Sequence, residues 1–212
     1  MLFRSIRGPT RSFILIALLL TLCGCGRIKR AVYEPADRGE WQQVERVISS
    51  LEIQPGQRVA DLGAGGGYFT FHLAEAVGPE GKVYAVDIDS DMTRHLEQRA
   101  SREGYANVEV ILAEPGDPRL PKGTLDLLFT CNTYHHLEDP SAYFARVMSS
   151  LRPGGRVAII DHKPEGWFQR IFPHSSRAES IGSDMESAGY RLLAAHDYLE
   201  KQNFQTFVRV LD

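Results

Sequence analysis

Hydrophobic and polar positions along the chain follow two periods in alternation. Short apolar runs typical of buried strands occur at residues 58–62, 82–88, 107–113, 125–131 and 156–161, and two further strand patterns occupy 190–199 and 203–211. Apolar residues at helical spacing fill residues 37–51, 68–77, 91–102, 139–151 and part of 176–188. This alternation predicts an α/β fold with a mostly parallel sheet, closed by an antiparallel pair of strands.

The helix after the fourth strand has clear end signals. Asp139 fits the N-cap position and Pro140 the first helical position. Its apolar face continues to Leu151, and the Pro-Gly-Gly run at 153–155 is expected to end it. We therefore predict one helix from 139 to about 151.

Composition narrows the class of protein. The 212 residues are 43% hydrophobic and 24% charged, which is typical of a globular chain, and the formal net charge is −3. Lys and Arg do not gather into a stripe, so nucleic acid is excluded as an expected partner. We predict a leader at 1–25, a polar linker at 26–36 and one α/β domain at 37–212.

The leader has a basic head, an apolar run and small residues, which is typical of a secretory signal peptide. The Leu-Cys-Gly-Cys sequence at 22–25 resembles the bacterial lipobox, which implies lipidation of Cys25. The alternative is an uncleaved membrane anchor. Three basic residues precede the apolar run and three follow it, so the positive-inside rule leaves the orientation open. We expect a membrane-associated lipoprotein facing the periplasm or the cell exterior, or an anchor with the domain facing the cytoplasm.

The run VADLGAGGGYFTFHLA at 59–74 carries the most specific chemistry. No Lys follows its glycines, which excludes a phosphate-binding P-loop. Counting from Gly63, the third glycine of a dinucleotide fingerprint would fall on Tyr68, which excludes that motif. What remains is Asp-x-Gly-x-Gly-x-Gly, formed by Asp61, Gly63, Gly65 and Gly67.

This motif resembles the first motif of the class I S-adenosylmethionine-dependent methyltransferases. The segments VDID at 86–89, TYHHLEDP at 133–140 and LRPGGRVAIID at 151–161 resemble later segments of the same family. The resemblance spans residues 37–212. It implies a Rossmann-like, doubly wound, mostly parallel seven-stranded sheet with an antiparallel C-terminal hairpin strand. It also implies an enzyme that transfers a methyl group directly from S-adenosylmethionine to a small molecule or lipid.

The resemblance further implies a cofactor site at the carboxyl ends of the strands. Asp61 is expected to orient the amino-acid end of the cofactor, and Asp87 to accept hydrogen bonds from both ribose hydroxyls. After the third strand, either Glu114 or Asp117 supplies the adenine contact, and Glu114 is favoured because it lies nearer the strand end. The full expected cofactor-binding set is Asp61, Gly63, Gly65, Gly67, Asp87, Ile88, Glu114 and Asn132, the last for the methionine moiety.

The sequence defines the binding site of the methyl acceptor less closely than it defines the cofactor site. His135 and His136 follow the fourth strand, and either is a candidate general base. The alternatives are that one of them turns inward to bond the backbone, and that alignment alone drives the transfer. Their spacing does not fit a metal site, so we expect no metal. We expect Cys131 to pack as a small hydrophobe.

Two alternatives remain open on the sequence. The aromatic stretch at 165–174 is expected to line an acceptor pocket, to rest on a lipid surface, or to pack as a lid on the domain. The whole protein is alternatively a membrane-tethered, inactive binding module on a methyltransferase scaffold. The presence of Asp61, the glycines and Asp87 favours the enzyme.

Overall fold

A computed structural model describes residues 41–164 and 176–210. The predicted leader, the linker, the start of the first helix and the aromatic stretch at 165–174 lie outside the described residues. Within the described ranges, no helix is long and apolar enough to cross a membrane.

One seven-stranded sheet forms the centre of the described chain. Its strands are β1 (Arg58–Leu62), β2 (Lys82–Asp87), β3 (Val108–Leu112), β4 (Leu125–Cys131), β5 (Leu151–His162), β6 (Tyr190–His196) and β7 (Gln202–Arg209). The spatial order is β3-β2-β1-β4-β5-β7-β6. Neighbouring strands from β3 to β5 pair in parallel, and β7 runs antiparallel to both β5 and β6. The predicted mostly parallel sheet with an antiparallel C-terminal hairpin strand is confirmed.

Helices cover both faces of this sheet. They are α1 (Val44–Ser50), α2 (Tyr68–Val77), α3 (Ser90–Glu103), α4 (Pro140–Val147) and α5 (Ala178–Ser187). Helices α1, α2 and α3 pack on one face, and α4 and α5 pack on the other. This is the predicted doubly wound arrangement.

Strand β4 shows why the sheet folds this way. Leu127 and Phe129 join the core beneath α1 and α2, while Leu128 lies in the core beneath α4 and α5. Every residue of β4 is buried, as expected for a central strand covered by helices on both faces. Its continuous apolar run at 125–131 is the sequence signal of that position.

Two predicted helix bounds are wrong. The helix expected to reach Leu151 ends at Val147, because residues 148–150 form a 3₁₀ turn and Leu151 already pairs with Leu125 at the start of β5. The Pro-Gly-Gly run therefore lies within β5, where the register to β4 shifts, as at a β-bulge. The helix predicted through Trp41 and Leu51 is interrupted at Gln43, whose φ of 47° is left-handed.

Candidate active site

The loops that follow β1, β2, β3, β4 and β5 share one edge of the sheet, because these strands are parallel. The candidate residues of the predicted cofactor site and both histidines lie in these loops or in the last two residues of the preceding strands. The structure thus brings these loops to the same side of the sheet, as expected from the strand ends.

The glycine loop after β1 has one open face and one packed face. Gly65 has a left-handed φ of 54°, and no atom lies within 4 Å of the place where a Cβ would stand. Gly67 also has a left-handed φ, of 91°, but a Cβ there would lie 2.5 Å from Phe71 and 2.7 Å from Leu96. Gly63 is closed off by the side chain of Thr133. Gly65 is therefore the glycine at which bare backbone is open to a ligand.

Asp61 is the next-to-last residue of β1, just before this loop, and is almost fully buried, with 3% exposed. The hydroxyl of Thr70, in α2, donates to its Oδ2 at 2.6 Å. Because α2 begins directly after the glycine loop, this bond ties the first turn of the helix to the end of β1.

Asp87 ends β2 and faces the glycine loop. Its Oδ2 accepts a hydrogen bond from the Gly65 amide at 2.8 Å, and its Oδ1 accepts one from the Asp89 amide at 2.9 Å. Each carboxylate oxygen can accept a further bond. Ile88 follows with 65% of its surface exposed, and Asp89 caps α3 by accepting from the Asp91 amide at 2.8 Å. Sequence analysis missed this N-cap, although an Asp before a helix is its usual signal.

Arg99, in α3, bonds to the glycine loop, a contact that the sequence did not predict. Its Nη1 donates to the Gly66 carbonyl at 3.1 Å, and its guanidinium lies 4.2 Å from the centre of the Phe71 ring. No sequence signal marks it, because the contact joins the middle of α3 to a loop far back along the chain.

The carboxylates of both acidic residues after β3 already contact Arg119. Glu114 is exposed and pairs with Arg119. Asp117 accepts a hydrogen bond from the Arg119 amide at 2.9 Å, and the backbones of Glu114 and Asp117 bond to each other. The structure leaves both at the edge of the sheet without favouring one of them.

Asn132 follows β4 in an unusual backbone conformation. Its φ is 58°, a left-handed value that Asn adopts more readily than most residues. Its amide donates to the Ile160 carbonyl at 2.8 Å, and its side-chain Oδ1 accepts from Gln202 Nε2 at 2.6 Å. Cys131 is buried in the core as predicted, and its Sγ also lies 3.0 Å from Gln42 Nε2.

His135 and His136 differ sharply in environment. His135 Nδ1 lies 2.7 Å from Asp161 Oδ1, and the two side chains are 7% and 0% exposed. His136 is exposed, with its ring 4.1 Å from that of His135. Asp161 ends the buried part of β5, and its buried Oδ2 has no hydrogen-bond partner among the residues that the structure describes. Sequence analysis did not pair Asp161 with His135.

Tyr134 begins the 3₁₀ turn Tyr134–His136, which carries both histidines. Its hydroxyl donates to Asp184 in α5. Burial, together with this bond, raises the pKa of Tyr134 far above its ordinary value, so the hydroxyl stays protonated as a donor.

Within residues 41–164 and 176–210, no three His, Cys, Asp or Glu side chains are grouped to hold a metal ion.

Comparison with known proteins decides the family. Residues 53–208 match the family model of a methyltransferase domain. The chain belongs to this family. The predicted class, a class I S-adenosylmethionine-dependent methyltransferase, and the predicted cofactor, S-adenosylmethionine, are confirmed. The match does not extend to the leader.

Several known methyltransferases are similar to this chain. The chain is 33% identical over 119 residues to a nocamycin O-methyltransferase of Saccharothrix syringae, covering 56% of this chain and 42% of that one. It is 26% identical over 178 residues to an aklanonic acid methyltransferase of a Streptomyces species, covering 70% of this chain and 81% of that one. A methyltransferase crystal structure from Aquifex aeolicus is 26% identical, covers 88% of this chain and 99% of its own, and superimposes with a TM-score of 0.80.

Proposed function

We propose that this methyltransferase domain moves the methyl group of S-adenosylmethionine to a small molecule or lipid at the carboxyl edge of its sheet. The observation that carries the proposal is the open backbone at Gly65 beside the Asp87 carboxylate. The names of the nocamycin and aklanonic acid relatives support a small-molecule acceptor. A small acceptor also agrees with a described chain that consists of one sheet and its helices.

The residues at this edge fit the cofactor. A ligand can approach Gly65 without a side chain in the way, and Asp87 keeps acceptor capacity for two ribose hydroxyls. Ile88 offers an exposed apolar surface for the adenine, with Glu114 at the next strand end. Asp61 lies near the end of β1 and Asn132 directly after β4, where they would hold the methionine end. Bound S-adenosylmethionine supplies a methyl group made electrophilic by its sulfonium.

We assign proton transfer on the acceptor side to His135. A carboxylate only accepts hydrogen bonds, so the short contact to Asp161 keeps a hydrogen on Nδ1 of the neutral ring. Nε2 is then the basic nitrogen, and it would take the proton of an attacking hydroxyl, thiol or amine. Asp161 remains the acceptor from Nδ1 throughout and stabilises the ring when it becomes charged. His136 is exposed, and its ring lies against that of His135.

Calorimetry on the purified full chain tests this function. The enzyme should bind S-adenosylmethionine and S-adenosylhomocysteine, and should transfer a labelled methyl group to a member of a panel of phenols, alcohols, amines and lipids. A binding module that has lost its chemistry would bind neither nucleoside. Binding without transfer to any acceptor class in the panel would refute the proposed reaction while leaving the site.

The leader supports a further part of the proposal, a tether at the membrane. Its basic head, apolar run and lipobox-like Cys25 favour a lipoprotein over an uncleaved anchor. The variant Cys25→Ser should leave the domain in the soluble fraction of disrupted cells if lipidation is the anchor. Retention in the membrane fraction would instead favour the uncleaved apolar segment, and protease accessibility in intact cells would report which side the domain faces.

A further inference from the structure

Three side-chain amides form a buried chain that ends at the edge of the sheet. Gln42 lies before α1, Gln202 begins β7, and Asn132 follows β4. Gln42 and Gln202 are both 0% exposed. Gln42 Nε2 lies 3.0 Å from Gln202 Oε1, and Gln202 Nε2 lies 2.6 Å from Asn132 Oδ1. Residues distant in sequence thus converge on one candidate site residue.

The chain has a direction. Gln42 Nε2 donates to Gln202 Oε1 and also reaches the Cys131 sulfur at 3.0 Å. Once the oxygen of Gln202 accepts from Gln42, its nitrogen must be the end that donates to Asn132. Because both glutamines are buried, water does not compete for these groups. The orientation of the first amide therefore fixes the orientation of the last.

Asn132 is held at both its backbone and its side chain. Its left-handed backbone is fixed by the bond from its amide to Ile160, and its Oδ1 is engaged by Gln202. Within the described residues no hydrogen bond from its Nδ2 is seen. Asn132 is half-buried, at the end of the strand where the cofactor is proposed to bind. The group that it can offer a ligand is consequently an N–H donor.

We propose that Gln42 and Gln202 are positioning residues that hold the Asn132 amide with Nδ2 towards the cofactor, where it donates to the carboxylate of the methionyl end. The inference rests on the proposed cofactor site and adds two buried residues that no motif marks. A carboxylate needs donors, and a reversed Asn132 amide would present an oxygen that repels it.

The substitution Gln202→Glu tests the direction of the chain. A glutamate still accepts from Gln42 but has no N–H for Asn132, so the Asn132 amide should turn and present Oδ1 to the cofactor. In calorimetry on the full chain, affinity for S-adenosylhomocysteine should fall about tenfold or more, as expected for a lost bond to a charged group. Affinity for 5′-methylthioadenosine, which lacks the amino-acid end, should not change.

Three further variants separate positioning from folding. Gln205→Glu places a glutamate in another mostly buried position of β7 and should alter neither affinity. Asn132→Asp keeps the bond from Gln202 and adds no charge at the fully buried glutamine positions. It should show the same loss of affinity for S-adenosylhomocysteine, with no change for 5′-methylthioadenosine. Gln42→Met removes the anchor at similar volume and should show a smaller loss of the same kind.

The outcomes are distinct. A loss confined to S-adenosylhomocysteine supports the positioning role. Equal losses for both nucleosides, or no loss in Gln202→Glu and Asn132→Asp, would overturn it. If the unaltered protein binds neither nucleoside, the proposed cofactor site itself is wrong, and the inference falls with it.

Discussion

The two halves of the candidate site are built by different means. On the proposed cofactor side, backbone amides of the loops donate to one carboxylate, Asp87, and the main chain at Gly65 is open. On the proposed acceptor side, two buried side chains contact each other directly: His135 in the turn after β4 and Asp161 in β5. The first half is a shaped surface, and the second is a pair of ionisable groups.

Because of this difference, we expect one side to determine ligand affinity and the other to determine the rate of methyl transfer. A preformed surface with fixed acceptors holds a ligand in the ground state and in the transition state alike, so its loss mainly weakens affinity. A base that takes a proton only during the reaction contributes mainly to the turnover rate. Substitutions on the two sides should therefore alter different measured quantities.

The largest effect is expected on the acceptor side. His135→Gln removes the basic nitrogen, so the rate of labelled methyl transfer should fall by about 10²–10⁴-fold, the usual contribution of general base catalysis. The affinity for S-adenosylmethionine in calorimetry should stay as it was. Asp161→Asn should lower the rate in the same way, because an amide in its place can donate to Nδ1 and favour the wrong tautomer.

His136→Gln is the matched comparison for that loss. Its ring is exposed and lies beside His135, so the substitution should leave most of the transfer rate intact. If His136→Gln removed activity and His135→Gln did not, the base would be His136 and the buried pair would be structural. A rate unaffected by either change would mean that alignment alone drives the transfer.

The next largest effect is expected at Asp87. Asp87→Ala removes the acceptor of both ribose hydroxyls and frees the Gly65 amide, so affinity should fall by more than about 100-fold, or roughly 3 kcal/mol. Calorimetry with S-adenosylhomocysteine measures this directly. Asp89→Ala in the same loop removes an N-cap, costs about 1 kcal/mol of stability and should keep the affinity. Equal affinity losses in the two variants would remove Asp87 from the ribose contact.

The cofactor side was largely predictable because its chemistry is local in sequence. Asp61, the glycines and Asp87 stand at strand ends, and the apolar runs marked those ends to within a residue for β1, β2 and β4. A glycine spacing reports on the backbone itself, so the motif can be read without knowing the tertiary structure. The alternation of strands and helices also predicted the mostly parallel character of the sheet.

The acceptor side was not predictable to the same degree, because its contacts are made by tertiary packing. His135 lies in the turn after β4 and Asp161 in the neighbouring strand β5, and no local pattern distinguishes the buried His135 from the exposed His136. Arg99 and Gln202 were missed for the same reason, since each acts on a loop distant in sequence. The early end of α4 was missed because the pairing of Leu151 with Leu125 overrode the helical pattern.

A moderate effect is expected at Gly65. Gly65→Val places a side chain in the open space over the loop, where the ligand is expected to bind. The resulting overpacking should cost about 1–3 kcal/mol of binding free energy, which weakens binding by roughly 5- to 150-fold. Gly104→Val at the end of α3 is matched, because Gly104 also has a left-handed φ, of 81°, and no atom near its Cβ position. It should cost similar stability on thermal unfolding and leave affinity intact. Loss of affinity in Gly104→Val would assign the effect to backbone strain.

The smallest effect is expected from Arg99, which reaches the site only through the loop. Arg99→Met keeps an apolar side chain against Phe71 but removes the hydrogen bond to the Gly66 carbonyl, worth about 0.5–1.5 kcal/mol. If the loop is held in place by this bond, affinity for S-adenosylhomocysteine should fall by a few-fold. The comparison is Arg102→Met on the same helix, which removes a surface pair with Glu103 and should leave affinity unchanged. Unchanged affinity in Arg99→Met as well would show that the loop keeps its place without this bond, through the bond from the Gly65 amide to Asp87 and the backbone bonds from Gly63 and Ala64 to Val86.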